Sequence, residues 1–339
     1  MLRYALMFFA LVAIPAVAAA QNPHLVVYEG EKGPGRGKHI VFLAGDHEYR
    51  SEESLPALAR ILAKHYGFKC SVFITTDAKT GFIEPGSSHI SGLEALRNAD
   101  LLVIFLRFQD FPDAEMQHIV DYLDRGGPIV GFRTATHAFQ IKRPDAKFLK
   151  YHWQTSDGYP GGFGRQVLGE TWVSHYGKNH AQSSRLILQS DQAAHPILRG
   201  VKDVWVQSGG YTANPIEGSQ ILAIGQILDG MTPDSPPAKD KKALPVAWYR
   251  THRGASGKSG RVFTTTHGAS EDLVNDGFRR MAVNACLWAA GLEKSIRPLS
   301  DVSFAGPYQP STFSFGGHVK GVKPADLTGW GTPIMPKKQ

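Results

Sequence analysis

The chain has 339 residues, 42% of them hydrophobic and 20% charged, which excludes a disordered or fibrous class and leaves one or two globular domains. The formal net charge is +7, but the Lys and Arg residues are scattered apart from "KDKK" and a terminal "KK". With no basic patch interleaved with aromatics, the charge argues against nucleic acid as a partner.

The first twenty residues read as a targeting segment. "MLRY" carries Arg3, and "ALMFFALVAIPAV" is an apolar run shorter than the ~18–20 residues that a membrane span needs. "AAAQ" then offers a small-residue cleavage site. The expectation is a signal peptide cut near Ala20. The protein would be exported to the periplasm or beyond, with no stable membrane insertion after cleavage.

"HIVFLAG" (39–45) is a strand of the buried kind, and "EESLPALARILAKHYGF" places Leu55, Leu58, Ile61, Leu62 and Tyr66 at helical spacing. "KCSVFIT" is a second strand. "LEALRNAD" is a short helix leading to the apolar strand "LLVIFLR" (101–107). "DAEMQHIVDYLDRGG" is an amphipathic helix stopped by glycines, and "PIVGFRT" a fourth strand.

Apolar strands alternating with helices predict an α/β fold. Its sheet is doubly wound, mostly parallel and flavodoxin-like, with helices on both faces. Residues 141 to 225 are less regular, with strand-like runs at "SRLILQS", "DVWVQSGGYT" and "SQILAIGQIL". "PVAWYRT" and "GRVFTTTH" read as a strand pair, and "DGFRRMAVNACLWAAGL" as a closing helix. The organisation expected is a signal peptide (1–20), one domain (38–293) and an irregular Pro/Gly-rich extension (294–339). Cys70 and Cys286 fall in a strand and a helix, so two buried, unbridged thiols are expected.

Ligands of such sheets gather beyond the carboxyl ends of the strands. Asp46, His47 and Glu48 follow the first strand, Arg107 ends the third, Arg133 and His137 follow the fourth, and His267 ends "RVFTTTH". His175 and His180 lie in the loop "SHYGKNH". The junction "GFRTATHAF" (131–139) is where α/β hydrolases and amidotransferases carry a Ser or Cys nucleophile. Here it holds Arg133, Thr134, Thr136 and His137, the threonines being expected to cap a following helix.

An imidazole can move a proton near neutral pH, and a guanidinium can hold an oxyanion or enolate. The residues therefore suit proton transfer more than nucleophilic attack. There is no H-E-x-x-H and no C-x-x-C. No cofactor is specified, although imidazoles converging from separate strand ends would suit a divalent ion such as zinc.

Together "GDHEYRSEESLPALARIL", "GFRTATHAF", "AHPILRG", "PVAWYRTHRGASGKSGRVFTTTHGASEDL" and "FRRMAVNACLWAAGL" resemble the trehalose-utilisation (ThuA-like) family, in its secreted branch, from about His39 to Leu292. The resemblance implies a class I glutamine amidotransferase-like fold lacking the Cys nucleophile, and a role in sugar catabolism that includes oxidised (keto) disaccharides. Where many members carry a His, this chain has Arg133.

The expected activity is an isomerase or lyase step on a keto-sugar or oxidised glycoside. His137, Arg133, His47 and Glu48 would be catalytic. Asp46, Arg107, His175, His180, Trp172, Tyr176 and His267 would bind a small carbohydrate. The alternative is a non-catalytic carbohydrate-binding protein in which Trp153, Tyr159, Trp172, Tyr176 and Trp205 stack on sugar rings.

Overall fold

The computed structural model describes residues 22–335, so the expected signal peptide lies outside the described residues. Strand β1 (Leu25–Glu29) is followed by β2 (His39–Gly45), helix α1 (Ser51–Tyr66), β3 (Lys69–Ile74), β4 (Leu101–Leu106), helix α2 (Asp113–Asp124) and β5 (Ile129–Phe132). Then come β6 (His175–Tyr176), β7 (Ser183–Leu188), β8 (Trp205–Val206), β9 (Gly210–Tyr211), β10 (Gln220–Leu228), β11 (Leu244–Arg253), β12 (Ser259–Thr265) and helix α3 (Asp276–Ala289).

Ten strands form one sheet in the order β1-β3-β2-β4-β5-β12-β11-β10-β7-β8, while β6 and β9 pair separately. The five strands β3-β2-β4-β5-β12 run parallel. Antiparallel strands extend this centre on both sides. The chain leaves β2 for β3 on one side and then crosses to β4 on the other. The gap between the carboxyl ends of β2 and β4 is thus the switch point, where such sheets leave a crevice.

The parallel strands are buried on both faces, which explains their continuous apolar runs. Side chains still alternate. Ile40, Phe42 and Ala44 of β2 join one core layer with α1 and α3, whereas Val41 and Leu43 join another with α2. Helix α1 ends at Gly67, whose φ of 79° is the left-handed conformation that closes a helix without a Cβ penalty.

Two expected helices are corrected. "LEALRNAD" forms only a 3-10 turn, Leu93–Asn98. "GFRTATHAF" turns once as a 3-10 helix at Arg133–His137, and no α-helix follows it. The threonines therefore do not cap a helix there. Thr136 Oγ1 instead donates to the carbonyl of Arg133.

Two segments outside 38–293 add to the packing. Strand β1 pairs with β3. The C-terminal segment buries Val302, Phe313, Val322, Leu327, Ile334 and Met335 against the α1 side of the core. Arg60 of α1 is fully buried beneath it, donating to the carbonyls of Leu327 and Thr332. Cys70 and Cys286 are free and buried, as expected.

Candidate functional site

At the end of β2 the chain makes a tight loop. Asp46 Oδ1 accepts from the backbone N–H groups of Glu48 and Tyr49, and Arg50 closes the loop at φ 63°. Asp46 is thereby a loop-shaping residue, with Oδ2 left without a protein partner. The loop presents His47, Glu48 and Tyr49 at the switch point. Across the gap, β4 hands over to Arg107 and then to Phe108 at φ 53°, a left-handed conformation that costs energy in a bulky residue.

Arg107 Nη1 stands 3.1 Å from Glu48 Oε2 and 3.3 Å from His47 Nε2. Burial raises the Glu48 carboxyl above its ordinary range, opposed by Arg107 and Arg133. Burial, then Arg107, lowers the His47 imidazole. A carboxylate displaced upward beside a cation is the combination that prepares a group for proton transfer.

Arg133, the first residue after β5, takes φ 43° at the kind of strand-end turn where α/β hydrolases place a nucleophile. Its guanidinium is fully buried. Nη1 donates to the carbonyls of Gly209 and Thr266, and Cζ lies 3.6 Å from the centroid of the Tyr49 ring. It does not bridge to Glu48, whose ion pair is with Arg107.

His137, at the end of the same turn, pairs through Nδ1 with Thr136 Oγ1 at 3.1 Å. Thr136 spends its own proton on Arg133, so Nδ1 is the donor and Nε2 keeps the lone pair. Burial, reinforced by Arg107 and Arg133, holds this imidazole well below its usual pKa and therefore neutral.

Aromatics surround the His137 ring, with centroids at 4.9 Å for Phe108, 5.4 Å for Trp172, 5.7 Å for Tyr211 and 6.4 Å for Trp153. Nε1 of both Trp153 and Trp172 is buried without a protein partner. His175 adjoins Trp172 and Tyr211. Asn179 Nδ2 donates to the Tyr49 hydroxyl, which also pairs with His175 Nε2 at 3.0 Å. Desolvation, then Arg133 and Arg107, lowers the His175 pKa to about 4. Asn179 also reaches Glu48 Oε1 at 3.4 Å, closing a network from His175 to Arg107.

His267 follows β12 at the same carboxyl edge but is fully buried, paired through Nδ1 with Ser208 Oγ. Ser208 donates in turn to Asp272, which also accepts from the N–H groups of Gly268 and Ala269. Burial, then Arg133, lowers His267 to about 3.

Other expected contacts find partners outside this cluster, although His180 stays at its edge through Phe313, which packs on Tyr49. The His180 ring stacks on Phe313 at 4.3 Å. Tyr176 donates to the carbonyl of Lys242. Tyr159 packs on Tyr151, and Trp205 donates to Ser183. Sequence reasoning missed Tyr49, Phe108, Asn179, Tyr211 and Phe315. Tyr49 and Phe108 directly follow residues it did select. The others come from irregular segments with no periodic signal. Among the described residues, no group of three His, Cys, Asp or Glu side chains is arranged to hold a metal ion.

A five-stranded parallel centre in flavodoxin order, with Arg133 and no Cys at the turn after β5, defines a flavodoxin-like α/β protein without a thiol at that turn. The chain belongs to the ThuA (trehalose utilisation) family, whose model matches residues 39–289. A ThuA-like protein of known structure from Bacteroides uniformis is 15% identical, with a TM-score of 0.45 over 79% of this chain and 96% of that one. Another, from Parabacteroides merdae, is 14% identical, with a TM-score of 0.42 over 82% and 97%. No match is found among curated proteins. The family relates the chain to carbohydrate use. No helix of the described residues is long and apolar enough to cross a membrane.

Proposed function

We propose that the protein is an exported enzyme that moves a proton on a keto-sugar or oxidised glycoside, in an isomerase or lyase step. The observation that carries this reading is the Glu48–Arg107 pair at the switch point, set beside an aromatic enclosure with unpartnered indole N–H groups. Aromatic faces suit the C–H faces of sugars, and a few placed polar groups suit their hydroxyls.

In this reading the Glu48 carboxylate takes the proton from the carbon next to the ketone. The electron pair moves onto the carbonyl oxygen, and Arg107 holds the resulting enediolate. In an isomerase, protonated Glu48 then returns the proton to the former carbonyl carbon while the proton of the adjacent hydroxyl passes to the enediolate oxygen; in a lyase, it protonates a β-substituent that leaves with its bonding electron pair. Burial lowers the His137 imidazole, so the first step is assigned to Glu48 rather than to it. Its neutral Nε2 accepts a hydrogen bond from a sugar hydroxyl and fixes the ring. Arg133, sealed beneath Tyr49, supports the phenol rather than the substrate.

Proton exchange into 3-ketotrehalose in deuterated water, followed by NMR, tests the reading. The wild type should label the carbon next to the ketone, and Glu48→Gln should not. Labelling by folded Glu48→Gln would overturn the role of Glu48, and binding by the wild type without labelling would leave a carbohydrate-binding protein. Export rests on the N-terminal sequence, and N-terminal sequencing of the mature protein should begin near Gln21.

A further inference from the structure

Phe315 is an exposed aromatic of the C-terminal segment, at 62% exposure, two residues after the buried Phe313. An isolated exposed Phe needs no explanation by itself. This one lies against the site, with Arg107 Cζ 4.7 Å from its ring centroid and the His47 ring 5.5 Å away.

The backbone on both sides of it is fixed. Arg50 donates to the carbonyl of Ser314, and the N–H of Gly316 donates to the carbonyl of His47. Gly316, at φ 64°, makes the turn that allows this second bond. Two residues earlier, Phe313 packs on Tyr49, and Ser311 donates from both its N–H and its hydroxyl to Glu53 of α1. The segment is therefore a built part of the site wall. One side of the Phe315 ring meets Arg107 and His47, and most of the side chain remains open to solvent.

We propose that Phe315 is a specificity-determining residue, the platform on which the second ring of a disaccharide stacks while its keto ring occupies the space beside Glu48 and Arg107. The proposal rests on the carbohydrate reading above. The aromatics around His137 line the inner part of the site, and Phe315 stands beside the His47–Arg107 side, where a substituent on the bound ring would emerge. A monosaccharide has no group to place there. Selectivity for a disaccharide is thus assigned to a residue supplied by the C-terminal segment, outside the strand ends that carry the chemistry.

Calorimetric titration of the mature protein with 3-ketotrehalose and with 3-ketoglucose tests this, in the wild type, Phe315→Ala and Phe315→Trp. The preference for the disaccharide, read as the ratio of the two dissociation constants, should fall about tenfold in Phe315→Ala, because the stacked apolar area is lost. Phe315→Trp should keep it. An unchanged ratio in Phe315→Ala, or equal weakening of both sugars, would overturn the proposal, the latter making Phe315 a cover for Arg107. Failure of the wild type to bind either sugar would instead overturn the carbohydrate reading and this proposal with it.

Discussion

Arg107 and Arg133 both follow parallel strands at the same edge of the sheet, yet their surroundings give them different work. Arg107 faces a carboxylate and an imidazole and keeps 8% of its surface exposed, whereas Arg133 is sealed under Tyr49 and bound to two backbone carbonyls. Glu48 and His267 divide in the same way. Glu48 pairs with Arg107, which keeps 8% of its surface exposed, and His267 is spent on Ser208 in a fully buried relay that ends at Asp272. A titratable group at a strand end is available for chemistry when its partner is another side chain near the surface. It becomes scaffold when its partners are fully buried, whether backbone carbonyls as for Arg133 or the Ser208 hydroxyl as for His267.

The largest expected effect separates the two regions directly. Glu48→Gln should reduce turnover on 3-ketotrehalose by about 10²–10⁴-fold, the usual worth of general acid–base catalysis, while its thermal melt remains cooperative. Unchanged turnover would move the chemistry elsewhere, with the neighbouring His47 as the first alternative.

Arg133→Met should act on stability. It leaves the carbonyls of Gly209 and Thr266 without that donor, at a cost of about 1–3 kcal/mol for each buried group left unsatisfied. Urea unfolding measures it. Full stability with abolished turnover would place Arg133 in the reaction and erase the contrast with Arg107.

The third prediction concerns acid stability. Burial holds His267 neutral down to about pH 3 in the folded protein, whereas an unfolded imidazole takes its proton near the ordinary value of 6.5. The unfolded state therefore binds more protons within this window, so His267 contributes stability above it that is lost as pH falls through it. His267→Gln should flatten the dependence of unfolding free energy on pH between 6 and 4 by up to about one proton, or ~1.4 kcal/mol per pH unit. An equally steep profile in the variant would show that the buried relay does not set acid stability.

The smallest effect is on the pH profile of activity. Glu48 must be ionised to accept a proton, and burial raises its pKa above the ordinary carboxylate range. kcat/KM should therefore fall on the acid side through a midpoint above 4.5, the ordinary value of a glutamate. A midpoint at or below that value would show a solvated carboxylate and weaken the case for Glu48.

Much of this rim is legible in the sequence. The runs "HIVFLAG" and "LLVIFLR" fix both where the strands end and that Glu48 and Arg107 stand at those ends, because a fully buried strand must stop where its charges begin. His137 was legible by position as well. Its partner and tautomer were not, since they depend on how Thr136 spends a single proton. The enclosure drew Trp172, Trp153 and Tyr211 from a region without periodicity, and sequence patterning alone could not choose them over Tyr159 or Trp205.

The sequence by itself determined the parallel centre, the switch point and the absence of a thiol nucleophile at the junction after β5. These follow from local hydrophobic runs and from residue identity at one turn. Tertiary structure alone decided which cation faces the site, how the C-terminal segment covers α1, and that Phe315 reaches His47. A charge's role depends on what surrounds it, and the groups around Arg133, Arg60 and Arg107 come from residues up to 272 positions away in the chain, beyond the reach of any local pattern.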